Sequence, residues 1–232
     1  MDPKTLRDSR KRRGWSQQKA ATVLRVGQSY LSMLENGHRP LPNELRRRMV
    51  RVYGLNPSFL PAPAGPWAPK EMNSQSLAEE LAALRYPGFA YLRKGNSNRN
   101  PAEVLLRALA QSRLEARAFE ALPWLLLEYL EMDRSWLVAN ARLHDLQNRL
   151  GFVVTLARKV GEKTSPRGSA RDAVLEKLES ALRQSLLARE DMVGHSELGD
   201  AECAWLRDHR CEEARQWNML TAWRPEFLRY AA

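Results

Sequence analysis

Gln28, Ser29, Ser32 and Met33 are the residues whose types and spacing point most directly to chemistry in this 232-residue chain. They flank Leu31 and Leu34 on a short stretch of helical period that stops at Asn36-Gly37. If the two leucines face inward, the four others face outward. An amide side chain offers a donor and an acceptor in a fork suited to adenine, and a serine hydroxyl adapts to either partner. A short helix that buries one side and shows such groups on the other fits a DNA major groove. The stretch therefore predicts a recognition helix beginning near Gly27 or Gln28. Before it, Ser16 is a good N-cap for a helix running to about Leu24, with Ala20, Val23 and Leu24 inward.

Other constellations offer less. His38, His144, His195 and His209 have no partners at catalytic spacing. Cys203, His209 and Cys211 supply three zinc-type donors, but the spacing is not a common one and no fourth ligand follows. His144-Asp145 and the arginines Arg142, Arg149 and Arg158 read best as solvated polar positions on a long helix. The stretch from Gly161 to Gly168 lacks the lysine and the strand context of a phosphate loop. The expectation is a chain with no catalytic site, no metal and no cofactor, and so not an enzyme.

Several of these residues carry a family resemblance. Gly14-Trp15-Ser16-Gln17, Ala20-Ala21, Ser29-Tyr30-Leu31-Ser32 and Leu34-Glu35-Asn36-Gly37 all fall in register with one motif. Over residues 7–55 the chain resembles the helix-turn-helix domain of the Cro/phage-repressor (XRE-type) regulators. The resemblance implies a five-helix, lambda-repressor-like domain. It implies that Gln28, Ser29, Ser32 and Met33 approach base edges, while Gln17, Tyr30, Arg25 and Arg39 approach phosphates. It also implies a structural ion pair between Arg10 in the first helix and Glu35 at the end of the third. Two departures stand out. The turn between helices two and three carries Arg25 where the family usually has a glycine, and positive φ there costs on the order of 1 kcal/mol. Gly27 replaces the usual Ser or Thr cap of the third helix and is the weaker choice.

The elements around the motif are organised by charge. Residues 1–60 carry 13 Lys plus Arg against 4 Asp plus Glu, whereas the rest is nearly balanced, so almost all of the formal +10 sits on the first quarter. That asymmetry is the footprint of a nucleic-acid partner. Pro3 opens a first helix to Arg12 or Arg13 with Leu6 inward. A fourth helix follows Asn43 as cap, with Leu45, Met49, Val50 and Val52 on or near its buried side. The reading is a helix-turn-helix domain over 1–56, a proline-rich linker over 57–76, and an α-helical dimerisation or partner-binding domain over 77–232. Phe59, Leu60 and Trp67 are candidates to pin the linker. The fold class is all-α.

Beyond the linker, Ser76 is read as the cap of a short helix, followed by an irregular loop over 86–99. Asn100-Pro101-Ala102-Glu103 starts a further helix. Residues 114–121 and 123–131 are read as two short helices, and 133–160 as one long one capped by Asp133. A turn over 165–168 precedes a helix from Ser169 to about Arg189, with Val174, Leu175, Leu178, Leu182 and Leu186 at helical spacing. Trp205, Trp217, Trp223, Phe227 and Leu228 are expected to dock a C-terminal tail. No apolar run reaches the roughly 18 residues of a membrane span. Two cysteines suggest reduced thiols, and the expectation is a soluble, cytoplasmic protein.

Two further resemblances concern the larger part. Ala64-Gly65 resembles the self-cleavage dipeptide of repressors with a serine–lysine protease domain, but that domain is β-rich and this sequence has almost no strand pattern. The runs Ala121-Leu122-Pro123-Trp124 and Asp145-Leu146-Gln147-Asn148-Arg149-Leu150-Gly151-Phe152 resemble helical regions of repressors encoded beside toxins, including nucleotidyltransferase-type toxins. The leading expectation is a repressor that binds a palindromic double-stranded DNA operator as a homodimer. The alternative is an antitoxin that represses its own operon and binds a toxin through the C-terminal helices.

Overall fold

The computed structural model describes residues 1–163, 168–194 and 198–229. Among them the chain is all-α, with twelve α-helices and three 3-10 turns, and only an isolated bridge between Asp191 and Met219 in place of any strand. It divides into two compact units. The first comprises Met1–Ala62 with Asn98–Asn100, the second Pro63–Ser97 with Pro101–Ala232.

The first unit contains α1 (Pro3–Arg12), α2 (Gln17–Leu24), α3 (Gln28–Glu35) and α4 (Asn43–Tyr53). A single 3-10 turn, Pro57–Phe59, follows, so the first unit holds four α-helices among the described residues, against the five that the resemblance implies. Leu6, Ala20, Ala21, Leu24, Leu31, Leu34, Leu45, Met49 and Tyr53 form one core. Each fully buried leucine there contributes roughly 1.5–3 kcal/mol. Val23 is a correction, since it is 41% exposed. The inward arc of α2 runs Gln17, Ala20, Ala21, Leu24, which is the spacing of one helical face and leaves Val23 at its edge. Asn43 is likewise not a cap: Pro42 occupies the cap position with extended dihedrals, and no side chain caps α4.

The second unit contains α5 (Ser74–Ala83), a 3-10 turn (Pro87–Leu92), α6 (Pro101–Leu109), α7 (Ala116–Glu128) and α8 (Arg134–Leu143). It continues with α9 (Gln147–Gly161), α10 (Ala170–Arg183), α11 (Asp200–His209), α12 (Glu212–Gln216) and a 3-10 turn (Pro225–Phe227). Its centre is α9, buried on nearly every side through Leu150, Phe152, Val153, Val154, Leu156, Ala157 and Val160. Apolar residues all round a helix mark a central position. The proline-rich stretch divides between the units, and in the second its Trp67 is buried. The carbonyl of Trp67 lies 2.7 Å from His144 Nε2, and Trp136 Nε1 donates to Pro63.

Several expectations about this unit need correction. Asn73, not Ser76, caps α5. The two short helices expected over 114–131 are one, because α7 runs straight through Pro123. An interior proline costs about 3 kcal/mol, and here it is offset by the buried Phe119, Leu122, Leu125 and Leu126 on either side. Conversely, the long helix expected over 133–160 is broken into α8 and α9, with Asp145 at φ 55° in the break. Aspartate tolerates that left-handed conformation better than most residues. Helix α10 stops at Arg183 and leaves Leu186 exposed. The buried Asn148 captures both the amide and the carbonyl of Leu187, holding the following chain in a non-helical path. Trp205 and Phe227 are about half exposed, contrary to the expected docking, whereas Trp217 is fully buried. A Cβ on Gly151 would lie 2.2 Å from the Trp217 ring, so that glycine is the notch that admits the indole. The turn expected over 165–168 lies outside the described residues except for Gly168.

Candidate nucleic-acid interface

The interface is built by α2, the turn after it, and α3. Ser16 caps α2 by accepting from the Lys19 amide at 3.1 Å. The helix ends at Arg25, which sits at φ 55° and ψ 48° in the left-handed region. The Val26 amide reaches back to the Ala21 carbonyl at 3.0 Å, closing a Schellman-type end. At the end of α3 the equivalent conformation falls on Gly37, at φ 75°. Arg48 of α4 donates to the Leu24 carbonyl at 2.7 Å, so a cation meets the carbonyl end of α2. That role had no signal in the sequence beyond the basic run 46–48, in which Arg47 is exposed.

Leu31 and Leu34 anchor α3 on the core. Gln28 and Ser29 are exposed, while Tyr30, Ser32 and Met33 are half-buried. Arg25 and Arg39 are exposed at either end of the α3 segment. Gln17 is half-buried. These residues are therefore not equally accessible.

A chain of polar contacts runs beneath this surface. Arg10 Nε donates to Glu35 Oε1 at 2.7 Å, Arg10 Nη2 donates to Glu35 Oε2 at 2.9 Å, and Arg10 Nη1 donates to the Trp15 carbonyl at 2.8 Å. Glu35 also accepts from Gln17 Nε2 at 3.1 Å. Gln17 Oε1 in turn accepts from Gln28 Nε2 at 3.0 Å. Arg7 donates to the Glu35 carbonyl at 3.1 Å and to the Asn36 side chain. The Glu35 side chain is only 1% exposed and that of Arg10 11%. Burial by itself would raise the Glu35 carboxyl, but the hydrogen bonds from Arg10 and Gln17, with the charges of Arg10 and Arg7, outweigh it and hold the pKa below the usual range. The same carboxylate, through its hydrogen bond, raises that of Arg10. Burial, reinforced by the Glu35 charge, pushes the neighbouring Tyr53 up to about 12.

The expected phosphate contact Gln17 is thus engaged inside the protein, between Glu35 and Gln28. Its inward lean was legible in the sequence, since it lies three, four and seven residues before Ala20, Ala21 and Leu24. In the second unit, no group of three or more potential metal ligands comes together among the described residues. The His209 ring there stacks on Trp205. No helix among the described residues is long and apolar enough to cross a membrane.

Residues 4–59 match the family model of a helix-turn-helix domain, and this segment is one, of the Cro/phage-repressor type. The match covers the first unit alone. Comparisons with curated proteins and with solved structures find no match for the chain.

Proposed function

Taking residues 4–59 as a helix-turn-helix domain, we propose that the chain is a sequence-specific DNA-binding transcriptional regulator, a repressor that grips a palindromic operator as a dimer. In this reading α3 enters the major groove. Gln28 and Ser29 meet base edges, and Ser32 and Met33 line the approach. Arg25, Arg39 and Tyr30 meet phosphates, while Gln17 stays between Glu35 and Gln28 and supports the base-reading side chain. The chain is a binding protein and not an enzyme.

The observation that carries the reading is the Arg10–Glu35–Gln17–Gln28 chain of hydrogen bonds. One amide hydrogen of Gln28 is spent on Gln17, which leaves the Gln28 carbonyl and its second amide hydrogen as a fixed fork. A fork of that kind matches N6 and N7 of adenine. Preorganisation keeps a long, flexible side chain from losing its rotamer freedom only on binding. Two such helices about one helical turn of DNA apart, roughly 34 Å, would read a two-fold operator.

Selection of bound sequences from a random DNA pool tests this. The intact chain should enrich a motif with an adenine in each half-site. Gln28→Ala should relax preference at that base, at a cost of roughly 1–3 kcal/mol in discrimination. Arg39→Ala should weaken all sequences alike. If Arg39→Ala changed the preferred bases and Gln28→Ala did not, the assigned face of α3 would be wrong.

A further inference from the structure

Helix α11 buries only Leu206 of its ten residues, and Cys203 and Arg210 on the same side are half-buried. Its other side carries Ala201, Ala204, Trp205 and Asp208, all exposed, with Asp200 and His209 along the borders. Trp205 is 53% exposed and Phe227 is 52% exposed. The two help to line one shallow groove, with Ala222 and Arg224 also at its wall. The indole stacks on His209 at 4.4 Å between ring centres and 10° between planes, so its own helix holds it in place. The apolar face of α10, the obvious alternative for association, is spent inside the unit through Leu175, Leu178 and Leu182.

We propose that this face of α11 is the contact between two copies of the chain, with the two helices antiparallel across a two-fold axis near Ala204 and Trp205. Such an axis pairs each residue with its mirror position about the helix midpoint, which makes the interface isologous. Trp205 of one copy then packs on Ala204 of the other, large against small. Asp208 falls opposite Ala201, over the first turn of the facing helix, where the positive end of the helix dipole favours a carboxylate. Asp200 falls opposite His209. A parallel pairing would instead set Asp200 and Asp208 against their own copies, so charge selects the antiparallel arrangement.

The size of the face sets the strength. A ten-residue helix is about 15 Å long, and even with Phe227 it covers less than the roughly 800 Å² per partner of a standard stable interface. The dimer is therefore weak in free solution and is completed when two copies occupy adjacent half-sites, where each raises the effective concentration of the other. This last step rests on the proposed reading of the first unit, whereas the contact itself does not.

Sedimentation velocity of the full chain, from micromolar to sub-millimolar concentration, tests the contact. The comparison includes Ala201→Glu, Trp205→Ala and the double variant Ala201→Glu/Asp208→Lys. All three positions are exposed, and thermal melts confirm that the variants stay folded. The intact chain should self-associate reversibly. Ala201→Glu, which sets two carboxylates against each other at two symmetric points, should weaken association at least tenfold. Trp205→Ala should do the same, and the double variant should recover most of the loss. A chain that stays monomeric throughout, or association indifferent to both single substitutions, overturns the proposal. So does failure of the double variant to recover, because the antiparallel register requires it. Binding to a single DNA half-site, measured on the same proteins, reports separately on the first unit: its absence would sink the regulator reading and leave this contact standing.

Discussion

Arg10→Met isolates what the buried ion pair does for the first unit. The substitution keeps much of the side-chain volume but leaves the Glu35 carboxylate, 1% exposed, with Gln17 as its remaining side-chain donor. Stranding one member of a buried pair costs roughly 3–5 kcal/mol. For a unit of this size each kcal/mol moves the melting temperature by about 4–8 °C, so a loss well above 10 °C is expected. The double variant Arg10→Met/Glu35→Leu removes both charges, and apolar replacement of a whole buried pair is often neutral. It should therefore regain most of the stability. It should not regain sequence discrimination, because Gln17 loses its acceptor and the Gln28 fork loses its support. Amide hydrogen exchange over residues 1–62 measures the stability, and selection from random DNA measures the discrimination. If the single and double variants lose the same stability, the buried-charge argument is wrong. If the double variant reads DNA as the intact chain does, the polar chain does not preorganise Gln28.

The same carboxylate gives a pH dependence. Its pKa is lowered in the folded unit by Arg10 and Gln17 against the opposing effect of burial, so the stability it contributes is present in full above the unfolded value near 4.3. That stability is lost as pH falls through the folded value, and acid titration of exchange protection in residues 1–62 should show it, absent in Arg10→Met/Glu35→Leu. Arg25→Gly should raise the stability of the first unit by about 1 kcal/mol by relieving positive φ. The same change should lower DNA affinity and flatten the logarithmic salt slope by about 0.9, the share of one phosphate. In the second unit Gly151→Ala drives a methyl into the Trp217 ring. Overpacking of that kind costs about 1–3 kcal/mol or more, and loss of the Trp217 Nε1 bond to Thr155 Oγ1 should appear as a shifted indole resonance.

What the sequence made legible was local. Ser16, the leucine spacing of α3 and Asn36-Gly37 each state a helix boundary or a buried face in their own residue types. Arg25 in the turn was read as strained, and its φ of 55° agrees. The polar chain was legible only in part, because Gln17 meets Glu35 through the folding of α2 against α3 and not through spacing. In the second unit the failures share one cause, which is tertiary context overriding local preference. Pro123 sits inside a helix because both its flanks are buried. The break at Asp145 interrupts an otherwise helical pattern, and Asn148 holds the chain that follows α10 at Leu187, 39 residues away. The exposure of Trp205 and Phe227 runs against the ordinary expectation that large apolar residues dock, and no pattern in the sequence announced it.

The central claim, that the first unit is a sequence reader of double-stranded DNA, is tested most directly by titrating the full chain against its selected DNA and against scrambled DNA at increasing salt. The account predicts tight binding to the selected sequence, with each neutralised phosphate adding about 0.9 to a steep logarithmic salt slope. It also predicts that Gln28→Ala narrows the affinity gap between the two DNAs by roughly 1–3 kcal/mol per half-site while leaving the slope unchanged. A flat salt response, or equal affinity of the intact chain for both DNAs, would contradict it.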